Sequence, residues 1–128
     1  MGRQAGTSFL AAMESRDVTL THIRALDHIG TAAEPPTVSA LADWLGQSLP
    51  TASRLAQALI ARELVTASVD DADRRSRRLA ITGDGLALLD EMRRARAADL
   101  ESFVAGLSAE ARERLHDALS HFDLSPTP

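Results

Sequence analysis

The chain contains no cysteine and no lysine, and only four aromatic side chains, Phe9, Trp44, Phe103 and Phe122. Without cysteine there is no thiol switch, no disulfide and no zinc site built on thiolates, and nothing argues for secretion. No apolar stretch approaches the roughly 20 residues of a membrane span. Residues 1–7 lack the apolar core of a signal peptide, so a soluble cytoplasmic protein is expected. Signatures of catalysis are missing too: there is no glycine-rich phosphate loop, nucleophile elbow or metal-binding pair. Asp70 with Asp71, and Asp90 with Glu91, are neighbours along the chain and do not face each other as a catalytic pair would. His22 and His28 are six apart on one expected helix, a poor spacing for joint metal ligation. His116 and His121 read as surface residues. The expectation is a non-enzyme with no cofactor and no metal.

What is present points to helices. At 128 residues the chain fits one domain with a real core. Its apolar residues are mostly Ala and Leu, which favour helices over strands. The net charge of −4 looks unfavourable for a nucleic-acid binder, but the charge is unevenly spread. Residues 48–82 hold six arginines against four acids, while both flanking segments are net negative.

Hydrophobic spacing and caps divide the chain. Residues 7–15 form a short helix candidate with Phe9, Leu10 and Met13 on one side. Thr19 caps an expected helix over 20–31, where Ile23, Leu26 and Ile29 recur at helical spacing. Pro35 and Pro36 end what precedes them. Thr37 caps a short helix over 38–45, with Gly46 as its terminator. After a tight turn, Ser48 caps the next helix, with Pro50 in its first turn and Leu55, Leu59 and Ile60 as the expected buried stripe. Two short helices joined by such a turn make a helix-turn-helix. Residues 65–69 alternate as a strand, and Arg77, Leu79 and Ile81 alternate back. Thr82 then caps a long helix to about Gly106, with Leu86, Leu89, Met92, Leu100, Phe103 and Leu107 on its expected buried side. Ser108 caps a last helix through about Phe122, with Ala111, Leu115, Ala118, Leu119 and Phe122 on one face. Residues 1–6 and 123–128 are expected to be disordered.

Residues 70–82 are the most telling stretch. Three acids precede four arginines, and a short alternating apolar run follows. A helix leading into an arginine-tipped hairpin is what a winged helix needs to hold a DNA duplex. Pro50, Thr51, Ser53, Arg54 and Gln57 lie near the N-terminal end of the expected recognition helix, the end that enters a major groove. Arg54 can bond a guanine edge and Gln57 an adenine, while Thr51 and Ser53 are short and suit phosphates. In the hairpin, Arg74 or Arg75 can enter a minor groove, whose negative potential draws guanidinium groups. Asp73 is placed to orient Arg75 by an ion pair. Asp70 and Asp71 would repel phosphate and should point away; Arg77 and Arg78 are left for phosphate or solvent. The bland reading is a solvated helix face beside an arginine loop held by its own acids. It weakens because the loop follows the helix-turn-helix directly.

In this order of elements the chain resembles the multiple antibiotic resistance regulator (MarR) family of transcription factors. That family's wing carries Asp-x-Arg-x-x-x-Leu-x-Leu-Thr, matched here by Asp73, Arg75, Leu79, Ile81 and Thr82, with Ile in place of the second Leu. The family's Gly three residues further on matches Gly85. Its Leu-Thr before the second helix corresponds to Val18 and Thr19, and its small-polar opening of the recognition helix to residues 50–54. The likeness spans roughly residues 8–122. It implies a mostly α fold with a small β-wing: a winged helix-turn-helix lobe at about 20–82, and dimerisation helices at about 7–15 and 83–122. It also implies a homodimer on a pseudo-palindromic site in double-stranded DNA, acting as a repressor. A small phenolic or carboxylate ligand is the expected releasing signal, with Phe9, Met13, His22, Leu26 and Met92 as candidate lining residues. Plain core is the rival reading of these five, and Arg24, Arg93, Arg94 and Arg96 are candidate anion anchors or a solvated face. One rival function is a winged-helix protein-interaction module that never meets DNA. The other is a regulator without ligand control, favoured by a first helix shorter than the family's usual one.

Overall fold

Local capping sets most of the architecture. The computed structural model describes residues 7–122 and contains, in order, α1 (Thr7–Arg16), α2 (Leu20–Thr31), α3 (Val38–Leu45), α4 (Leu49–Ala61), β1 (Val65–Val69), β2 (Arg77–Ile81), α5 (Gly83–Ala105) and α6 (Ala109–Leu119). Thr19, Thr37, Ser48, Thr82 and Ser108 each accept an N–H from three residues on, so five of the six helices start where a hydroxyl satisfies a free donor. α3 ends on Gly46 in the left-handed region (φ +68°), which lets the chain turn directly into α4. α4 ends on Glu63, also left-handed (φ +60°), with the Leu64 N–H donating back to the Leu59 carbonyl at 3.0 Å.

The core lies between α2, α3, α4, the base of the wing and the first half of α5. Leu26, Leu41, Val65, Leu59, Leu79 and Met92 are its fully buried large side chains. β1 and β2 are antiparallel, pairing Val65 with Ile81 through to Val69 with Arg77. Thr82 hydrogen-bonds back to Leu64 and so starts α5 directly beneath the sheet. There Gly85 is required: a Cβ would sit 2.4 Å from the Leu64 carbonyl oxygen. α1 lies along α5, and the Asp99 carboxylate accepts the Ser8 and Phe9 N–H groups at 2.8 and 3.0 Å, capping α1 from across the helix pair. Among the described residues no helix is long and apolar enough to cross a membrane.

Three expectations need correction. In α4 the buried face is Ala52, Ala56 and Leu59; Leu55 is half-buried and Ile60 is exposed, because α4 meets its neighbours along its alanines. In α5 the buried side is Leu88, Leu89 and Met92 rather than Leu86, and Leu100 and Phe103 face solvent. The core ends before the helix does. α6 stops at Leu119 and buries nothing fully; Ala111 and Leu115 are half-buried, while Leu119 and Phe122 are exposed. The expected disorder of 1–6 and 123–128 lies outside the described residues.

Candidate nucleic-acid interface

The recognition-helix candidates sit on the first two turns of α4. Residues 50, 54 and 57 recur at helical spacing opposite the buried alanines, and Pro50, Arg54 and Gln57 are all exposed. Thr51 and Ser53 are half-buried. The Thr51 hydroxyl accepts from the Ser48 hydroxyl at 2.9 Å, so part of its bonding capacity closes the helix cap. The long, donor-rich side chains Arg54 and Gln57 are therefore the ones presented outward.

The wing divides into a tip and a base. At the tip, Asp73 organises the turn: its carboxylate accepts the Arg75 N–H at 3.0 Å and the Ser76 hydroxyl at 3.4 Å, and its carbonyl accepts the Ser76 N–H at 2.9 Å. It also lies 3.5 Å from Arg75 Nε, a loose ion pair on a guanidinium that is 93% exposed. Arg74 and Arg77 are exposed as well. The tip thus has a fixed backbone and freely reaching arginines.

The base is different, and Arg78 corrects the sequence reading. Its Nε donates to Asp70 at 2.8 Å and its Nη1 to the Pro35 carbonyl at 2.6 Å. Asp70 is only 8% exposed. The pairing with Arg78 lowers the Asp70 pKa and raises that of Arg78, each through their hydrogen bond first. Arg78 is therefore tied into the wing base, with its side chain still 35% exposed. The hairpin register pairs Ser68 with Arg78, which leaves Asp70, two residues on, as the diagonal neighbour of Arg78.

Of the five ligand candidates, Leu26 and Met92 are buried in the core, with Phe9 and Met13 partly buried against it. The His22 ring Nδ1 accepts the Thr19 N–H at 3.0 Å, completing a capping box at the start of α2. Desolvation, then the nearby Arg62 charge, depress the His22 pKa, with Asp17 opposing. A cleft of about 380 Å³ opens instead between α2, α3 and α5, with Arg24, Trp44, Met92, Arg93 and Arg96 among its walls. Trp44 is half-exposed, stacks on His28 at 4.3 Å and carries the Arg24 guanidinium 5.3 Å from its ring centre. Arg93 pairs with Asp27 at 3.0 Å. Trp44 and His28 were not marked as a cluster by the sequence, because stacking across two helices leaves no local pattern.

Two helices joined by a capped turn, followed by a clasped hairpin, define a winged helix-turn-helix protein. Residues 16–76, which hold that unit up to the wing tip, match the MarR family. Its fold is similar to YusO of Bacillus subtilis (20% identity, TM-score 0.79, covering 90% of this chain and 81% of that one). It is similar also to MepR, a transcription regulator of the Staphylococcus aureus multidrug efflux pump MepA (22% identity, TM-score 0.76, 90% and 87% covered). The structure of a MepR–DNA complex is likewise similar (23% identity, TM-score 0.62, 85% and 80% covered). No curated protein gives a significant match.

Proposed function

We propose that the protein is a sequence-specific DNA-binding transcriptional regulator that works as a homodimer. The observation that carries this reading is the outward presentation of Arg54 and Gln57 on α4, next in sequence to a wing whose tip exposes Arg74, Arg75 and Arg77. These groups supply the two contact types that DNA needs, base edges in a major groove and phosphate or minor-groove contacts beside it. Capture of a MepR–DNA complex with a similar fold agrees with it. Their concentration in the one net positive segment favours an anionic duplex as the partner.

Dimerisation is supported by apolar surface. Leu10 on α1, Leu100 and Phe103 on α5, and Leu119 and Phe122 at the α6 end are all at least 42% exposed. A groove of about 550 Å³ between α5 and α6, lined by Ala97, Leu100, Val104 and Ala105, continues this surface. A second copy covering it brings two α4 helices to half-sites about one DNA turn, roughly 10 base pairs, apart on a pseudo-palindromic operator. Repression then follows from steric exclusion. A small carboxylate or phenolic ligand would act by changing the separation of the two lobes, and the cleft walled by Arg24, Arg96, Trp44 and the Arg93–Asp27 pair is a candidate place for it.

The test is footprinting on the DNA flanking the gene, with affinity measured across salt. Two protected half-sites about one turn apart are expected, with affinity falling steeply as salt rises from counterion release. Absence of protection at low salt would reject the reading in favour of the interaction module.

A further inference from the structure

Asp70 poses a problem for any DNA-facing wing, since a carboxylate there opposes phosphate. The structure resolves it by geometry. Within the wing, Asp71 and Asp73 are exposed, and so are Arg74, Arg75 and Arg77; of the wing's acids Asp70 alone is buried, and of its arginines Arg78 alone is partly buried. Their 2.8 Å pair is tied to the rest of the lobe at several points. Arg78 reaches the Pro35 carbonyl, the Leu79 N–H donates to Pro36 at 2.8 Å, and Thr37 forms an isolated β-bridge with Arg78. Thr37 is also the N-cap of α3. On the other side the Asp70 N–H donates to the Ser76 carbonyl at 3.0 Å, closing the tip. One continuous path of bonds thus runs from the wing tip, through Asp70 and Arg78, to the first turn of the helix-turn-helix. A two-stranded ribbon is marginal alone and free to twist, so its pitch must be set by such a tie.

We propose that Asp70 and Arg78 are positioning residues for DNA binding: Arg78 touches no DNA, and its clasp on Asp70 and Pro35 fixes where Arg74 and Arg75 reach relative to α4. The inference rests on the DNA-binding reading above. It makes a prediction of opposite sign to simple electrostatics. Replacing Asp70 by Ala removes a negative charge from a DNA-binding wing, which by charge alone tightens binding. Loss of the clasp weakens it.

The full-length protein is titrated onto two duplexes carrying the footprinted site, one extended beneath the wings and one cut back to the base pairs that α4 spans. Asp70→Ala and Arg78→Lys should each weaken binding to the extended duplex about five-fold, a coupling typical of groups sharing one network. Both should bind the short duplex as the wild type does. Lys keeps the charge of Arg78 but not its two-way hydrogen bonding, so retention of full affinity by Arg78→Lys would make residue 78 a phosphate contact and overturn the proposal. Tighter or unchanged binding by Asp70→Ala would overturn it too, and so would an equal loss on both duplexes, the mark of a weakened fold. If Asp70→Ala melts early, Arg78→Lys decides. A wild type that binds neither duplex rejects the DNA reading itself and this proposal with it.

Discussion

The two halves of α5 carry similar side chains and meet opposite fates. Leu88, Leu89 and Met92 in the first half are at most 7% exposed, whereas Leu100 and Phe103 in the second are 62% and 52% exposed. Helical spacing of apolar residues is present in both. The difference is in the cover. α2 and Ile81 of the wing base close over the first half, and α1 runs along α5 as far as Asp99, the buried residue of the second half, which caps α1. An apolar stripe therefore records that a face is to be covered, and not by what. In the first half the chain covers itself; in the second, by our proposal, another copy does.

The strongest way to break this comparison is a matched pair of truncations. Met92→Ala should cost about 2–5 kcal/mol of stability, the usual loss for a sealed core side chain whose cavity cannot fully collapse. Denaturant melts give the number, and a loss below 1 kcal/mol would mean that the first half is not core. Phe103→Asp is the counterpart. It should leave the melting of the isolated chain nearly unchanged while weakening self-association by roughly 2 kcal/mol, or about thirty-fold, as expected for a central aromatic anchor. Sedimentation across a concentration series checks it; an unaltered association constant would remove the distal half from the interface.

The same contrast explains what was legible in the sequence. Elements bounded by a Ser or Thr cap were readable to within a residue or two, because the cap is a local bond: α2, α3 and α4 begin after Thr19, Thr37 and Ser48 as expected. The two wing strands were readable from the alternation of 65–69 and of Arg77, Leu79 and Ile81. Which face of α4 and α5 is buried was less so. The choice of Leu88 over Leu86, and of Ala52 and Ala56 over Ile60, depends on how closely neighbouring elements approach, and alanine gives no strong signal of that. At the site, the outward side chains Arg54, Gln57, Arg74 and Arg75 follow from position on an element. The inward turn of Arg78 and the capping role of His22 depend on partners brought near only by folding or by a specific turn.

The smallest test changes pH and leaves the sequence alone. His22 accepts the Thr19 N–H through Nδ1, which requires that nitrogen to be unprotonated. Its pKa in the folded chain is lowered from 6.5, first by desolvation and then by Arg62. The unfolded chain therefore takes up the proton more readily, and stability falls as pH drops below about 6.5 until the lower folded value is passed. The expected loss is under about 1 kcal/mol, the scale of one helix cap. It should fall on α2, which covers the first half of α5, and leave the distal face untouched. Thermal melts between pH 7.5 and 5 of the wild type and of His22→Gln, a pair chosen because the amide oxygen can still accept at the cap without titrating, isolate the contribution from the acid residues common to both. Parallel pH curves for the two would show that His22 takes no part in holding α2. A matching pH dependence of self-association would join the two halves of α5 into one cooperative unit and end the distinction drawn between them.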